Sequence, residues 1–304
     1  MLLDEGHEVI GLDNFNDYYD VRVKEFRAAE LARFAGFELH RVDLEDRAAI
    51  SALFESHDFD AVINLAARAG VRASIEDPFV YVTTNTMGSL NLLHEMQKHG
   101  VKKYVMASTS SLYADAPMPF EETANVTRPV SPYAASKLGA EALAYSYSHL
   151  YGIDVAIVRY FTVFGPAGRP DMSPFRFIEW VRRGQPIRLF GDGSQTRDFT
   201  YIDDIAHGTL AALRVKGFEV INLGGGNTPL SINTMIEVIG DELGKKPVVE
   251  HLEVNRADMK DTSASVAKAA ELLGWKPKVT PLDGFKRTVT WHRDNESWLD
   301  GVTL

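Results

Sequence analysis

Tyr133 and Lys137 stand four residues apart in the run Ser131-Pro-Tyr-Ala-Ala-Ser-Lys137. They open an alanine-rich segment, Ala134 to Tyr151, that lacks proline and has no glycine after Gly139, so it predicts a helix. On a helix that spacing sets both side chains on one face, about one turn apart. A phenol beside an ammonium can move a proton. Free tyrosine titrates near ~10, so a base working near neutrality needs its pKa lowered by roughly three units, about 4 kcal/mol in favour of phenolate. A fixed lysine cation acts in that direction. The same spacing also occurs on ordinary amphipathic helices, so the rest of the chain must decide its meaning.

The elements around it alternate. Glu8 to Asp13 reads as a strand, after a glycine-capped helical turn at Met1 to Gly6. Val21 to Phe34 reads as helix, Phe37 to Val42 as strand, and Asp46 to Ser56 as helix. Asp60 to Ala67 is an apolar strand running into small residues, and Pro78 to His99 is a long helix that contains Asn85. Lys102 to Ser108 and Asp154 to Phe161 read as strands on either side of the Tyr133 helix. This order predicts an α/β fold with a Rossmann-like, doubly wound parallel sheet, whose ligands bind at the carboxyl ends of the strands. Asp13, Asp43, Ala66, Thr109 and Thr162 fall at those ends. Asp13 suits a ribose-binding carboxylate, and equally a strand-end turn former beside Asn14.

From Gly165 onward glycine and proline become denser, and a smaller mixed α/β region is expected over 165–304 after a first unit over 1–164. Its helices are expected near Phe175–Arg183, Asp203–Leu213, Ser231–Leu243 and Ser263–Leu273, with Val220–Leu223 returning to the main sheet. Arg169, Arg188, Arg197 and Arg256 lie in its loops.

Composition narrows the partners. The 304 residues include 32 Lys and Arg against 42 Asp and Glu, a net charge of −10 that argues against nucleic acid and acidic membranes. No long apolar run predicts a membrane span, and no secretory signal opens the chain. There is no cysteine, which excludes disulfides, thiolate catalysis and cysteine-held metal. No metal is expected at the site, and the cytoplasm is the default location.

These residues resemble the extended short-chain dehydrogenase/reductases, in their nucleotide-sugar epimerase/dehydratase branch. The likeness is carried by Asp13-Asn14, Asp43-Leu44, Asn64-Leu65-Ala66-Ala67, Asn85, Ser108-Thr109-Ser110-Ser111, Tyr133-x-x-x-Lys137, Arg197 to Asp204 and Arg256-Ala-Asp258. Ala69-Gly-Val-Arg72, Arg159 to Pro166 and Gly168 to Met172 are similar to the UDP-glucuronate 4-epimerases of that branch.

The resemblance implies NAD as cofactor, a UDP-sugar as substrate and a homodimer built on the two long helices. It implies epimerisation at C4 of UDP-glucuronate through a 4-keto sugar, with Tyr133 as proton acceptor, Lys137 on the nicotinamide ribose and Thr109 bonded to the same sugar hydroxyl. Asp13, Asn14, Asp43, Leu44, Leu65, Ala66, Ala67 and Asn85 would serve the cofactor. Asp13 would favour NAD over NADP, because a carboxylate repels a 2′-phosphate. Arg197 and Arg256 would hold the diphosphate, where a guanidinium fork is suited, and Asp258 the uridine ribose. Ser110, Ser111 and Thr162 would face the sugar carboxylate. Arg188 joins the substrate set, and Arg72 and Arg169 are either substrate contacts or surface charge. Family 4,6-dehydratases carry an Asp-Glu pair where Ser110 and Ser111 stand, and the decarboxylases a Glu. Galactose-type epimerases often have Asn at the place of Thr162. Ala114 and Ala167 depart from the family's usual Gly and Trp.

The family opens with a strand and a Gly-x-x-Gly-x-x-Gly loop, and this chain starts near the end of the helix that follows. The expectation is a sheet divided in two and weak binding of NAD by the chain as it stands. Another UDP-sugar 4-epimerase, or a silent nucleotide-sugar-binding relative, is the alternative.

Overall fold

A computed structural model describes residues 1–114, 116–226, 229–254 and 259–304. The first residues form one helical turn closed in the left-handed region by Gly6 (φ 85°). His7 N donates to the Leu2 carbonyl and Gly6 N to that of Leu3, the bond pair that ends a helix at such a glycine.

Two parallel ladders follow. β1 (Val9–Leu12) pairs with β2 (Phe37–His40). β3 (Val62–Asn64), β4 (Lys103–Thr109), β5 (Asp154–Tyr160) and, from late in the chain, Phe218–Leu223 form a four-stranded sheet. Phe218–Leu223 lies beside β5 over the whole run, so the segment expected to return to the sheet does so. Between β1 and β2 runs α1 (Val21–Leu31), and between β2 and β3 runs α2 (Arg47–Ser56), capped by the Asp46 carboxylate on Ala48 N and Ala49 N.

The strands alternate in what they bury. Tyr104 and Met106 of β4, with Val155 and Ile157 of β5, face a core that includes Phe54, Leu93 and Met96. Val105, Ala156 and Val158 face the other way, onto Ile205, Ile221 and Trp275. Apolar side chains on both faces are what a doubly wound parallel sheet requires, and the fold class agrees with that reading.

The connection from β3 to β4 passes through α3 (Ala73–Glu76), α4 (Pro78–Tyr81), a π-helical turn over Val82–Met87 and α5 (Gly88–His99). The expected long helix is therefore continuous but widened by the π turn, and Asn85 sits in that turn. Such bulges recur at functional sites. α6 (Pro132–Tyr151) connects β4 to β5. Ser131 caps it on Ala134 N, Pro132 takes the first position, and Gly152 ends it at φ 63°.

Beyond β5 lies a second core. β6 (Thr162–Phe164) pairs in parallel with β9 (Phe199–Tyr201), and β7 (Ile187–Phe190) with β12 (Val249–Leu252). β8 (Thr196–Arg197) pairs antiparallel with β11 (Leu230–Ser231), and Phe218–Leu223 is β10 in this order. α7 (Ser173–Arg182), α9 (Ile232–Leu243) and α11 (Pro281–Asp294) pack around Ile178, Ile236 and Phe285. α8 (Ile202–Ala211) and α10 (Ala267–Leu273) return to the main sheet through Ile205 and Ala269. α10 is shorter than the expected Ser263–Leu273, and α11 is an element that the sequence reading did not foresee. The short α12 (Glu296–Leu299) then lays Leu299, with Val302, against Val23 of α1.

Candidate active site

Tyr133 stands at the second position of α6, aimed at the end of β4. Its phenol lies within reach of the side chain of Thr109, the last residue of that strand. Burial pushes its phenol above the usual tyrosine value, while the Thr109 side chain and the Arg169 charge pull the other way. Lys137, 4% exposed, donates from Nζ to the Ala107 carbonyl at 3.0 Å. Burial lowers its ammonium to about 8, and the nearby Glu141 carboxylate opposes that fall. The expected pair is thus on one helix face, but its lysine is held by the β4 backbone. In the chain by itself, burial is the largest influence on the tyrosine and favours its neutral form.

The Thr109 side chain also accepts from Ser111 N at 3.1 Å, which starts a turn of 3₁₀ helix over Ser110–Tyr113. Ser110 is buried and Ser111 half-buried beside it. Thr162, half-buried, opens β6 opposite Phe199. The three hydroxyl residues expected at the sugar therefore follow two adjacent strands, β4 and β5.

A ring of contacts surrounds Tyr133. The Tyr81 ring meets it edge to face, 6.1 Å between centroids. Tyr18 donates to the Ala69 carbonyl at 2.8 Å, and Tyr81 to the same oxygen at 3.3 Å. Gly70, at φ 122°, allows that approach, since a Cβ there would stand 2.7 Å from the Tyr18 hydroxyl. Arg68 stacks 4.7 Å from the Tyr18 ring centroid. Tyr18 and Tyr81 were not among the expected site residues. The Ala69-Gly-Val-Arg72 run pointed to this place, but the tyrosines reach it across 51 and 12 residues of chain.

Asn85 ties this ring to α6. Its Oδ1 accepts from Arg68 N at 2.8 Å, and its Nδ2 donates to the Arg68 carbonyl and to Ser136 Oγ, each at 2.9 Å. Asn85 is 1% exposed, so its role here is to fix loop and helix together.

Arg169 makes a fork on Asp171, with bonds of 3.0 and 2.5 Å, and lies near the Tyr18 and Tyr19 rings. Its loop is held from α1. Ala167 adopts φ 50°, and the Arg27 guanidinium grips its carbonyl with bonds of 2.9 and 2.5 Å. Non-glycine residues in that region carry strain that the surroundings must hold in place.

Arg72 stacks on the Phe190 ring, 3.7 Å from its centroid, and so links the loop after β3 to the end of β7. Arg197 donates to the Thr196 and Lys260 carbonyls at 2.7 and 2.9 Å. Arg188 is different. It projects from β7 with its side chain 67% exposed, 3.8 Å from Glu250 on β12, and the structure does not bring it to Tyr133. The Arg256 and Asp258 expectations lie outside the described residues.

On the cofactor side, Asp13 accepts at Oδ1 from Phe15 N (2.7 Å) and from the Lys24 ammonium (3.1 Å). Asn14 donates to Asp43 at 2.7 Å, which joins the ends of β1 and β2. Leu44 packs into the core against Gly88, where a Cβ would stand 2.8 Å from its side chain. Leu65 is exposed, Ala66 half-buried and Ala67 exposed past the end of β3. These residues fit a dinucleotide. The Asp13 carboxylate, its side chain 45% exposed at the end of β1, is open to a ribose hydroxyl, and the small residues after β3 permit close approach.

The family model for the NAD dependent epimerase/dehydratase family matches residues 1–224. The chain belongs to that family. It is 54% identical over 303 residues to a UDP-glucuronate 4-epimerase of Thermodesulfobacterium geofontis, covering all of this chain and 94% of the relative. The structure superposes on the UDP-glucuronic acid 4-epimerase of Bacillus cereus, solved with UDP-glucuronic acid and NAD, with a TM-score of 0.90 and 34% identity over 96% of this chain and 93% of that one. A Thermotoga maritima UDP-glucose 4-epimerase with UDP-glucose matches at TM-score 0.87 and 30% identity, over 97% and 94% of the two chains. As a family member, the chain is NAD dependent.

Proposed function

We propose that this protein is an NAD-dependent UDP-sugar 4-epimerase, an isomerase that interconverts UDP-glucuronate and UDP-galacturonate. The observation that carries the reading is Tyr133 within reach of Thr109 and one turn from buried Lys137, in a chain 54% identical to an enzyme of that name. NAD, when bound, supplies a hydride acceptor that gives the same hydride back. Thr109 and Tyr133 hold the sugar 4-hydroxyl between them, and Tyr133 takes its proton. Because burial raises the Tyr133 phenol, deprotonation there needs positive charge nearby; Arg169 is the cation acting on it, and Lys137 stands one turn along the same helix face. Tyr133 then returns the proton when the 4-keto sugar has presented its other face.

Ser110, Ser111 and Thr162 serve the sugar carboxylate with hydroxyls instead of a buried ion pair, so the sugar stays free to turn. The absence of carboxylates at 110 and 111 favours epimerisation over elimination, which needs an acid or base there. Arg72, Arg169, Arg197, Arg256 and Asp258 belong to the substrate set, as do the cofactor residues named above to the dinucleotide. Arg188 is its weakest member because of its exposure. In this reading residues 1–164 are the cofactor unit and 165–304 the nucleotide-sugar unit, and the protein works in the cytoplasm. A homodimer through α4–α5 and α6 is supported by the exposed apolar residues Phe79, Val82, Met87, Tyr145 and Leu150 on those helices. The described residues contain no helix long and apolar enough to cross a membrane.

The test is incubation of purified protein with UDP-glucuronate and NAD, followed by separation of the two epimers. Approach to one mixture from either epimer supports the reading. Absence of UDP-galacturonate with NAD demonstrably bound sinks it. Turnover of UDP-glucose in preference to UDP-glucuronate would assign the chain to a sibling epimerase.

A further inference from the structure

Among the described residues one group of ionisable side chains has metal-binding geometry outside the active site: Glu38, His40 and His57. Glu38 and His40 are two apart on β2, so they share one face of an edge strand. His57 ends α2 in extended backbone and comes to the same face. One ligand atom from each lies within 4.8 Å of the others. Glu38 Oε1 is 2.7 Å from His40 Nε2, and Oε2 is 3.7 Å from His57 Nε2.

Two details turn proximity into a site. His57 Nδ1 lies 3.2 Å from the Leu53 carbonyl and 2.9 Å from Ser56 Oγ. A carbonyl only accepts, so the bond to it requires the ring proton on Nδ1 and leaves the Nε2 lone pair toward Glu38. Ligating histidines are fixed in this manner, by a bond from the other nitrogen to a backbone carbonyl. His40 Nε2 is shielded from water and, despite its closeness to Glu38, makes no hydrogen bond. The rings are also held, with His57 stacked on Phe59 at 5.8 Å and edge-on to His40 at 5.7 Å. Two imidazole nitrogens and a carboxylate thus converge where a cation satisfies all three.

We propose that Glu38, His40 and His57 bind one divalent transition-metal ion of the zinc class, which clips β2 to the end of α2. Two imidazoles and one carboxylate are a usual zinc donor set, with bonds of about 2.0–2.2 Å, and a water completes four-coordination. Glu38 is exposed, which gives the ion a way in. None of the three residues is in the proposed cofactor or substrate set.

The test uses untagged full-length protein, stripped with chelator and titrated with Co²⁺. One equivalent should bind with the visible absorption of a four-coordinate site, and Zn²⁺ should displace it. Zinc should also raise the melting temperature. His57→Gln, whose fold is checked by circular dichroism, should weaken Co²⁺ binding by more than about tenfold, a loss that removal of an outer-shell partner alone already causes, and abolish the thermal shift. Glu38→Gln is a second variant, on an exposed residue with little risk to folding, and should do the same. The proposal is overturned by sub-stoichiometric uptake, or by uptake that survives in both variants. It is equally overturned if the His40 and His57 ring resonances titrate with protons but do not respond to zinc, since the cluster would then be a proton-bridged ion pair.

Discussion

Arg159 of β5 and Glu141 of α6 meet in a two-bond fork, Nε to Oε1 at 3.0 Å and Nη2 to Oε2 at 2.7 Å, with both side chains buried. Ser108 Oγ donates to the same carboxylate at 2.5 Å, and Arg159 Nη1 donates to the Tyr113 hydroxyl at 3.0 Å, which in turn donates to Asn222 at 2.7 Å. The network ties five elements together: the end of β4, the turn after it, α6, β5 and β10. Glu141 is one turn beyond Lys137, so the face that carries the proton-transfer pair is bolted to the sheet by this ion pair. Removing one partner leaves the other charge buried and unpaired. Glu141→Ala should therefore cost about 3–5 kcal/mol in urea unfolding. Glu141→Leu with Arg159→Met should recover most of that loss, and a double variant no better than the single one would contradict the ion-pair account.

Tyr133→Phe keeps the ring against Tyr81 and deletes only the hydroxyl. Epimerisation should fall by at least about 10²–10⁴-fold. NAD affinity, read by calorimetry, should stay within a few-fold of the parent. Equal losses in both would make Tyr133 a cofactor anchor instead of the proton acceptor.

Lys137 gives a signed pH effect. Its folded value is lowered to about 8 from 10.5, so between those values the unfolded chain holds more protons than the folded one. Stability must then rise with pH across that window. Relative to Lys137→Met, which cannot titrate, the parent should gain up to roughly 3 kcal/mol from pH 8 upward. Urea midpoints for both proteins, taken from pH 7 to pH 10, check it. A constant gap between them would place the lysine in water.

The serines after Thr109 are expected to select the acidic sugar. Ser110→Ala and Ser111→Ala should each raise KM for UDP-glucuronate about tenfold, the loss of one hydrogen bond to a charged group. UDP-glucose binding should change far less. A parallel rise for both sugars would mean that the hydroxyls hold the 3₁₀ turn and not the substrate.

Phe79, 80% exposed, is the test residue for assembly. Phe79→Glu should convert a dimer to monomer in sedimentation velocity while circular dichroism is unchanged. A parent that already sediments as a monomer would remove the four-helix interface from the model of function.

What could be read from the sequence was what depends on near neighbours along the chain. Alternating strands and helices and the Tyr133–Lys137 face follow from spacing within a few residues. What could not be read depends on distance in sequence. Tyr18 reaches Ala69 across 51 residues, and Arg27 reaches Ala167 across 140. Leu44 sits in a cofactor motif, yet its side chain is spent on the core against Gly88. Arg188 was grouped with the other loop arginines by type alone, and the alternation of β7 turns it to solvent. The π turn at Asn85 has no local signature, because its widening is set by the bonds to Arg68 and Ser136. α11 begins with the Thr280-Pro281 start signal, which went unused beside the denser motifs before it.

Among the described residues the β1–β2 ladder shares no strand hydrogen bond with the β3–β4–β5–β10 sheet. Asp13 and Asp43 ride on the first, and Thr109, Tyr133 and Lys137 on the second. A dinucleotide that touches both sets couples the ladder to the sheet, so part of its binding free energy stabilises the ladder. Amides of β1 and β2 then exchange with solvent at a rate governed by cofactor occupancy, while those of β4 and β5 keep the pace of global unfolding.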